Sequence, residues 1–446
     1  MKILSFRATK VHGYIPIHTE FNDELSIIVG GNGSGKTTAI VLMQAILCPN
    51  FKDLLTIPFE TLSLTILINK TKYTLGVKSI SDALEFRVSS IKEPLIIPTI
   101  NKENIEYLNY HKKELHDIND QVFAQNQPSK VIDFLKNIQT PVFMGLDRTN
   151  DIYRENEDYM FERRSQMAKE RKGYINYKRQ FKGSLGTSLF ETEMLVQEAY
   201  RRRSSIEERS HAKLKDEILL SSFEYTTFKG RLTEQNYIER RQMLERRNEI
   251  KEVLSKIGYS NERFYKKLES FFDKLEELIN QMEKSKDGIN IEWLTNQAQI
   301  ERITKILDII DESNSNISRA FKPINEFISI VNSFLGDSKK RISIDKVGRL
   351  NIIRPDGKTT MIDALSSGER QLVVLFANVI FNGENKFPEN VFIIDEPELS
   401  LHIRWQERFI EKMLSAGKAT QFILATHSPD IIGEYKRSCV RINSSH

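Results

Sequence analysis

The chain has 446 residues, 39% hydrophobic and 28% charged, with a formal net charge of +4. That length predicts more than one domain and a sizeable core, while that charge is too small for a general affinity for polyanions. Two cysteines without close spacing, Cys48 and Cys439, exclude a disulfide framework and a C-x-x-C zinc site. No run approaches 18 apolar residues, and Lys2 and Arg7 break the apolar start, so no membrane span or secretory signal is expected and the chain reads as cytoplasmic.

In chain order, Met1–Phe6 reads as a strand, and so does the apolar run Leu25–Val29. Gly30 to Thr37 then fits G-x-x-x-x-G-K-[ST], and Thr38–Met43 opens a helix. Strand, glycine loop and helix form the setting of a phosphate-binding loop. Backbone N–H groups of Asn32, Gly33, Ser34, Gly35 and Thr38 would turn toward phosphate, helped by the positive helix end. Lys36 would reach the β- and γ-phosphates of ATP, and the Thr37 hydroxyl would ligate Mg²⁺. Leu62–Ile68, Tyr73–Val77 and Leu84–Val88 suggest a meander, and Pro141–Leu146 a further strand that ends in Asp147 and Arg148. Residues 1–150 are the expected first lobe.

Residues 151–335 are read as a helical or short coiled-coil insertion. Leu268, Phe271, Leu275, Leu278 and Met282 recur at helical spacing, followed by Ile300, Ile303, Leu307 and Ile310, then by Ile324, Phe327, Val331 and Phe334. Asp287–Asn290 is the expected turn between arms, each reaching ~75 Å for ~50 residues. Within 162–182 eight basic residues are interleaved with Tyr174, Tyr177 and Phe181, and Arg201–Arg203 follow. Such a segment suits a phosphate backbone with stacked bases; it equally suits a solvated helix face or a protein interface.

Residues 336–446 form the expected second lobe. Arg341–Ile344 and Leu350–Ile353 read as a hairpin leading through Pro355-Asp356-Gly357 to Leu365-Ser366-Ser367-Gly368-Glu369. Ser366 with Glu369 three residues on is a capping box at the start of a helix expected to run to Phe381. Val391–Ile394 is a continuous apolar run, typical of a central parallel strand, and delivers Asp395 and Glu396 at its C-terminal end. Asp395 would hold the Mg²⁺ shell, and Glu396 would act on the attacking water. A second such run, Gln421–Ala425, ends in Thr426-His427-Ser428-Pro429 and places His427 to contact the γ-phosphate.

GGNGSGKTT, ALSSGERQ, FIIDEPELSLH and ATHSP, in this order, resemble the ABC-type ATPase heads of the SMC, RecF and OLD group. The resemblance covers the two ends of the chain and leaves the middle unmatched. It implies an α/β fold, an ABC/SMC-type head of two lobes with a P-loop core, interrupted by the helical insertion. It also implies that Ser366 and Gly368, beside Glu369, contact ATP held by a second protomer. Leu399–His402 would be the loop that crosses the dimer, and His427 the switch histidine. One chain carries both half-sites, so a homodimer of heads with two ATP suffices. For the glutamine that senses Mg²⁺ in such heads Gln139 is the candidate, while Arg148 is a nucleotide or an interface contact. The zinc hook of some DNA-repair relatives is not expected with these cysteines.

Few residues follow His427, where OLD nucleases continue into a TOPRIM domain, so no nuclease domain is expected in this chain. That plan resembles the ATPase subunits of bacterial anti-phage systems, Septu first and PARIS second. The resemblance implies a higher homo-oligomer built from head dimers and a nuclease partner of HNH or TOPRIM-like type. A RecF-like DNA-repair ATPase and a nucleotide-sensing scaffold with little turnover are the alternatives.

Overall fold

The computed structural model describes residues 1–48, 51–81, 83–98, 129–138, 140–145, 184–221, 244–256, 262–284, 291–382, 390–417 and 419–442. Gln139, Asp147, Arg148, the basic segment 162–182 and the turn 287–290 lie outside them. The chain divides into two compact units, Met1–Gln197 with Glu326–His446, and Glu198–Asn325.

The first unit begins with β1 (Lys2–Val11), β2 (Ile15–Glu20), β3 (Leu25–Val29), α1 (Lys36–Leu47), α2 (Phe51–Thr56), β4 (Thr61–Ile68), β5 (Thr71–Ile80), β6 (Ala83–Val88), β7 (Leu95–Pro98), α3 (Lys130–Asn137) and β8 (Val142–Met144). Helices α4 (Ser184–Ser221), α5 (Arg247–Lys256), α6 (Glu262–Lys284) and α7 (Ile291–Leu335) follow. After them come β9 (Arg341–Ile344), β10 (Leu350–Ile353), β11 (Thr359–Met361), α8 (Ser367–Ala377), β12 (Asn390–Asp395), α9 (Ile403–Ala416), β13 (Thr420–Ala425), α10 (Pro429–Ile432) and β14 (Cys439–Arg441).

One sheet is antiparallel, in the order β2-β1-β4-β5-β6-β7. In β4, burial alternates, and Leu62, Leu64 and Ile66 face the core. The other large sheet is parallel throughout, in the order β14-β3-β13-β12-β8. Every residue of β12 and β13 is buried, which is why these strands read as unbroken apolar runs. Helix α1 shares one core with both sheets: Ile40, Leu42 and Met43 cluster with Phe6, Leu64 and Phe86 from the first and with Ile28, Ile393 and Ile423 from the second.

A buried glutamine joins the sheets. Gln421 Oε1 accepts the Ile3 N–H at 2.7 Å, and its Nε2 donates to the carbonyls of Ile3 and Asn22, both at 2.8 Å. This satisfies backbone groups of the antiparallel sheet from the end of a parallel strand.

The expected hairpin gains a third strand. Gly357, at φ +77°, turns the chain into β11, which pairs with β10. The helix expected to reach Phe381 ends at Ala377 and continues as a π-helical turn, Asn378–Asn382. The Asn378 side-chain amide donates to the Val374 carbonyl at 2.7 Å, competing with the helical pairing at that point.

The second unit is a helical bundle with its own core of Leu214, Ile250, Val253, Leu254, Phe272, Leu275, Leu307 and Ile310. Of the expected seam, Leu275, Leu307 and Ile310 are in this core, Leu268, Phe271 and Ile303 pack at its margin, and Phe272 takes the fully buried aromatic position. Arg246 pairs with Asp311 and Glu249, and Arg247 with Asp273, tying α5 to its neighbours. Of the Arg201–Arg203 triplet, Arg203 is buried and donates to the carbonyls of Ala199 and Ala320, so it is not part of a basic surface. Among the described residues no helix is long and apolar enough to cross a membrane.

Candidate active site

Strands β3, β13 and β12 lie side by side in register, with Ile28 opposite Ala425 and Ala425 opposite Asp395. The loops that leave their C-terminal ends therefore emerge together, where an open α/β sheet binds its ligand. They carry Gly30–Thr37, Glu396–His402 and Thr426–Ser428.

The first loop is shaped by left-handed glycines. Gly33 lies at φ +77° and Gly35, which begins α1, at φ +88°. A side chain at either would be strained. Asn32, Gly33 and Thr37 are exposed, and Ser34 and Thr38 are half-buried. Lys36 is buried and folds its ammonium over the loop, donating to the carbonyls of Gly30 at 2.8 Å and Gly31 at 3.0 Å. Burial pushes the Lys36 pKa down, against the opposing pull of Asp395, Glu396 and Glu398.

Asp395 is buried at the end of β12. Burial raises its pKa; the hydrogen bond from the Thr37 side chain opposes the rise, and the charges of Glu396 and Glu398 add to it. A hydroxyl and a carboxylate thus meet in a place already crowded with negative charge, which suits a hard divalent cation that keeps part of its water shell. Among the described residues no group of three or more His, Cys, Asp or Glu side chains forms a metal cage. Glu396 is half-buried and sits at φ +48°, its N–H donating to the Ala425 carbonyl at 2.8 Å.

The Ser366 turn is a complete capping box. Ser366 Oγ accepts from the Glu369 N–H, and Glu369 Oε2 accepts from the Ser366 N–H at 2.7 Å. The Glu369 carboxylate, counted above with the nucleotide-contacting groups, points inward: it also takes Lys340 Nζ at 2.8 Å and Ser338 Oγ at 2.8 Å. Burial pushes its pKa up, but these hydrogen bonds outweigh the burial and hold it below the ordinary carboxylate range.

Gly368 is buried against the backbone of Ser400, and the exposed residues of the run are Ser366 and Ser367. A Cβ on Gly368 would stand 2.2 Å from the Ser400 carbonyl oxygen. Gly368→Ala is therefore expected to cost about 2–4 kcal/mol, because a backbone carbonyl must move. A thermal melt checks this, and a midpoint equal to that of the wild type would rule the contact out.

The third loop puts His427, its side chain exposed, just beyond β13. The residue that sequence reading missed is Glu398. Its carboxylate accepts from Thr426 Oγ1 and from the His427 N–H, both at 2.8 Å. The available signal was a third acid in the run Asp395-Glu396-Pro397-Glu398.

A family model described as an AAA ATPase domain, AAA_15, matches residues 1–432. The Retron Vc95 probable ATPase of Vibrio cholerae serotype O1 biovar El Tor is 29% identical over 185 residues, 36% of this chain and 35% of that protein. The Retron Ec83 probable ATPase of Escherichia coli is 33% identical over 75 residues, 15% of this chain and 14% of that protein. The matches thus span about a third or less of these relatives' own length. The Smc head domain with an extended coiled coil from Pyrococcus furiosus, solved bound to the C-terminal domain of ScpA, aligns over 99% of this chain and 95% of its own at 15% identity, with a TM-score of 0.40.

Proposed function

We propose, on the premise that the chain belongs to the AAA ATPase domain family, that it hydrolyses ATP at a site completed by a second copy of itself, and that the resulting head association controls a partner. The observation that carries the reading is the meeting of Thr37 with Asp395 beside Lys36, which joins the phosphate loop to the strand-end acids.

Backbone N–H groups of the loop from Asn32 to Thr38 hold the phosphates, and Lys36 exchanges its bonds to the Gly30 and Gly31 carbonyls for phosphate oxygens. Thr37 and Asp395 would hold Mg²⁺, which would supply positive charge against the phosphate oxygens. Glu396 takes a proton from the water that attacks the γ-phosphorus, while the bond to the ADP oxygen breaks. His427 donates a hydrogen bond to a γ-phosphate oxygen. The Ser366 turn opens α8, so its exposed N-terminus presents a second anion site, suited to ATP held by the other copy.

The partner reading is bacterial anti-phage defence, supported by the likeness to two retron probable ATPases. Its narrower form is a Septu-type or PARIS-type subunit acting on an HNH or TOPRIM-like nuclease. Light scattering tests the association: with ATP and Mg²⁺ the mass is expected to rise in steps of two heads. Hydrolysis by a chain whose mass never changes would sink the composite site and leave a simple ATPase. No nucleotide binding at all would sink both.

A further inference from the structure

The loops that leave β12 and β13 are joined through one side chain. Glu398 Oε2 accepts from Thr426 Oγ1 and Oε1 accepts from the His427 N–H, so both oxygens of one carboxylate are committed to the segment bearing His427. Thr426 is buried, and its hydroxyl also accepts from the Ser428 N–H at 3.0 Å. Gln406, on α9, closes the ring: its Nε2 donates to the Leu401 carbonyl at 2.9 Å, and its Oε1 accepts from Ser428 Oγ at 2.6 Å. On its other side the same turn carries the Ser400 carbonyl that abuts Gly368.

Glu398 is thus poorly placed to be the base, because both its oxygens already accept hydrogen bonds, whereas among the described residues none donates to the Glu396 carboxylate. It is well placed to fix a backbone. Hydrogen bonds to a charged acceptor are stronger than neutral ones, and two of them on adjacent residues leave the Thr426–His427 peptide little freedom. We propose that Glu398 is a positioning residue for ATP hydrolysis: it sets His427 at the end of β13 and makes the switch segment follow any displacement of the Pro397–His402 turn. This rests on the ATPase reading above. Since Gly368 of the Ser366 turn packs on Ser400, engagement of a second head at that turn reaches His427 through Glu398 without a contact to His427 itself.

The test compares the full-length wild type with Lys36→Ala, Glu398→Ala, Glu398→Gln and Thr426→Val. Glu398→Ala is expected to lower kcat roughly 30-fold, and the nucleotide Kd should stay within about twofold because the phosphate loop is untouched. Glu398→Gln keeps an amide oxygen for the His427 N–H and should recover much of that loss, to within roughly fivefold of wild type. Thr426→Val should fall between them, and adding it to Glu398→Ala should cost little more, since both remove the Thr426–Glu398 contact. Without nucleotide, amide exchange at His427 should quicken roughly tenfold in Glu398→Ala.

Normal wild-type turnover with an indifferent Glu398→Ala, or unchanged exchange at His427, overturns this role and leaves the ATPase reading intact. A kcat loss matched by an equal loss of affinity makes Glu398 a general structural residue and also overturns it. A wild type that, like Lys36→Ala, neither binds nor turns over ATP overturns the ATPase reading and this role together.

Discussion

Glu396→Gln is expected to lower ATP turnover about 10³-fold while leaving nucleotide affinity near that of the wild type, the size of effect a general base supplies. The backbone gives the reason to single this residue out. Glu396 lies at φ +48° immediately before Pro397, where a non-glycine residue bears strain of order 1–3 kcal/mol. Its N–H bond to the Ala425 carbonyl and the buried Pro397 hold it there. Glutamine has the same shape and backbone preferences, so the strained turn survives and only proton acceptance is lost. Blocked hydrolysis should in turn hold ATP in place and accumulate paired heads. Single-turnover kinetics with light scattering measures both, and turnover within tenfold of wild type would assign the proton to another group.

What could be read in advance divides along physical lines. The phosphate loop and the Ser366 capping box are local requirements: left-handed glycines at 33 and 35 and a Ser-x-x-Glu spacing show in any short window. Strands β12 and β13 were legible because a parallel strand buried on both faces must be apolar at every position. Short edge elements such as β7, β11 and β14 were not, since three or four residues are too few to establish a period, and β11 and β14 bury little as well. One position of the seam differs, with Phe272 and not Phe271 filling the bundle core, because either of two adjacent phenylalanines fits between Leu268 and Leu275 at helical spacing. Long-range polar pairing was invisible: nothing near Glu369 in sequence announces Lys340, and nothing near Glu398 announces Thr426. The packing of Gly368 on Ser400 belongs to the same class. The run itself gives no sign of the carbonyl that lies against this glycine.

Mixing two inactive variants is expected to restore activity. Lys36→Ala removes the ammonium of the phosphate loop, and Ser366→Arg replaces an exposed helix cap with a bulky cation. Each alone should fall below about 1% of wild-type turnover, the scale of losing a donor that acts on developing charge. Neither change threatens the fold: the cap is worth about 1 kcal/mol, and the hydrogen bonds of the Lys36 ammonium among the described residues stay within the loop, to the Gly30 and Gly31 carbonyls and Ser34. If each site takes its phosphate loop from one copy and its Ser366 turn from the other, a mixed dimer has one site with both lesions and one with none. Random exchange makes half the dimers mixed, and half of their sites are intact, so an equimolar mixture should recover about a quarter of wild-type turnover. If loop and turn served the same nucleotide within one chain, no mixture could assemble an intact site and activity would stay at the residual level of the parents. The Thr37–Asp395 half of the site is complete within one chain, so this experiment isolates what the second copy adds.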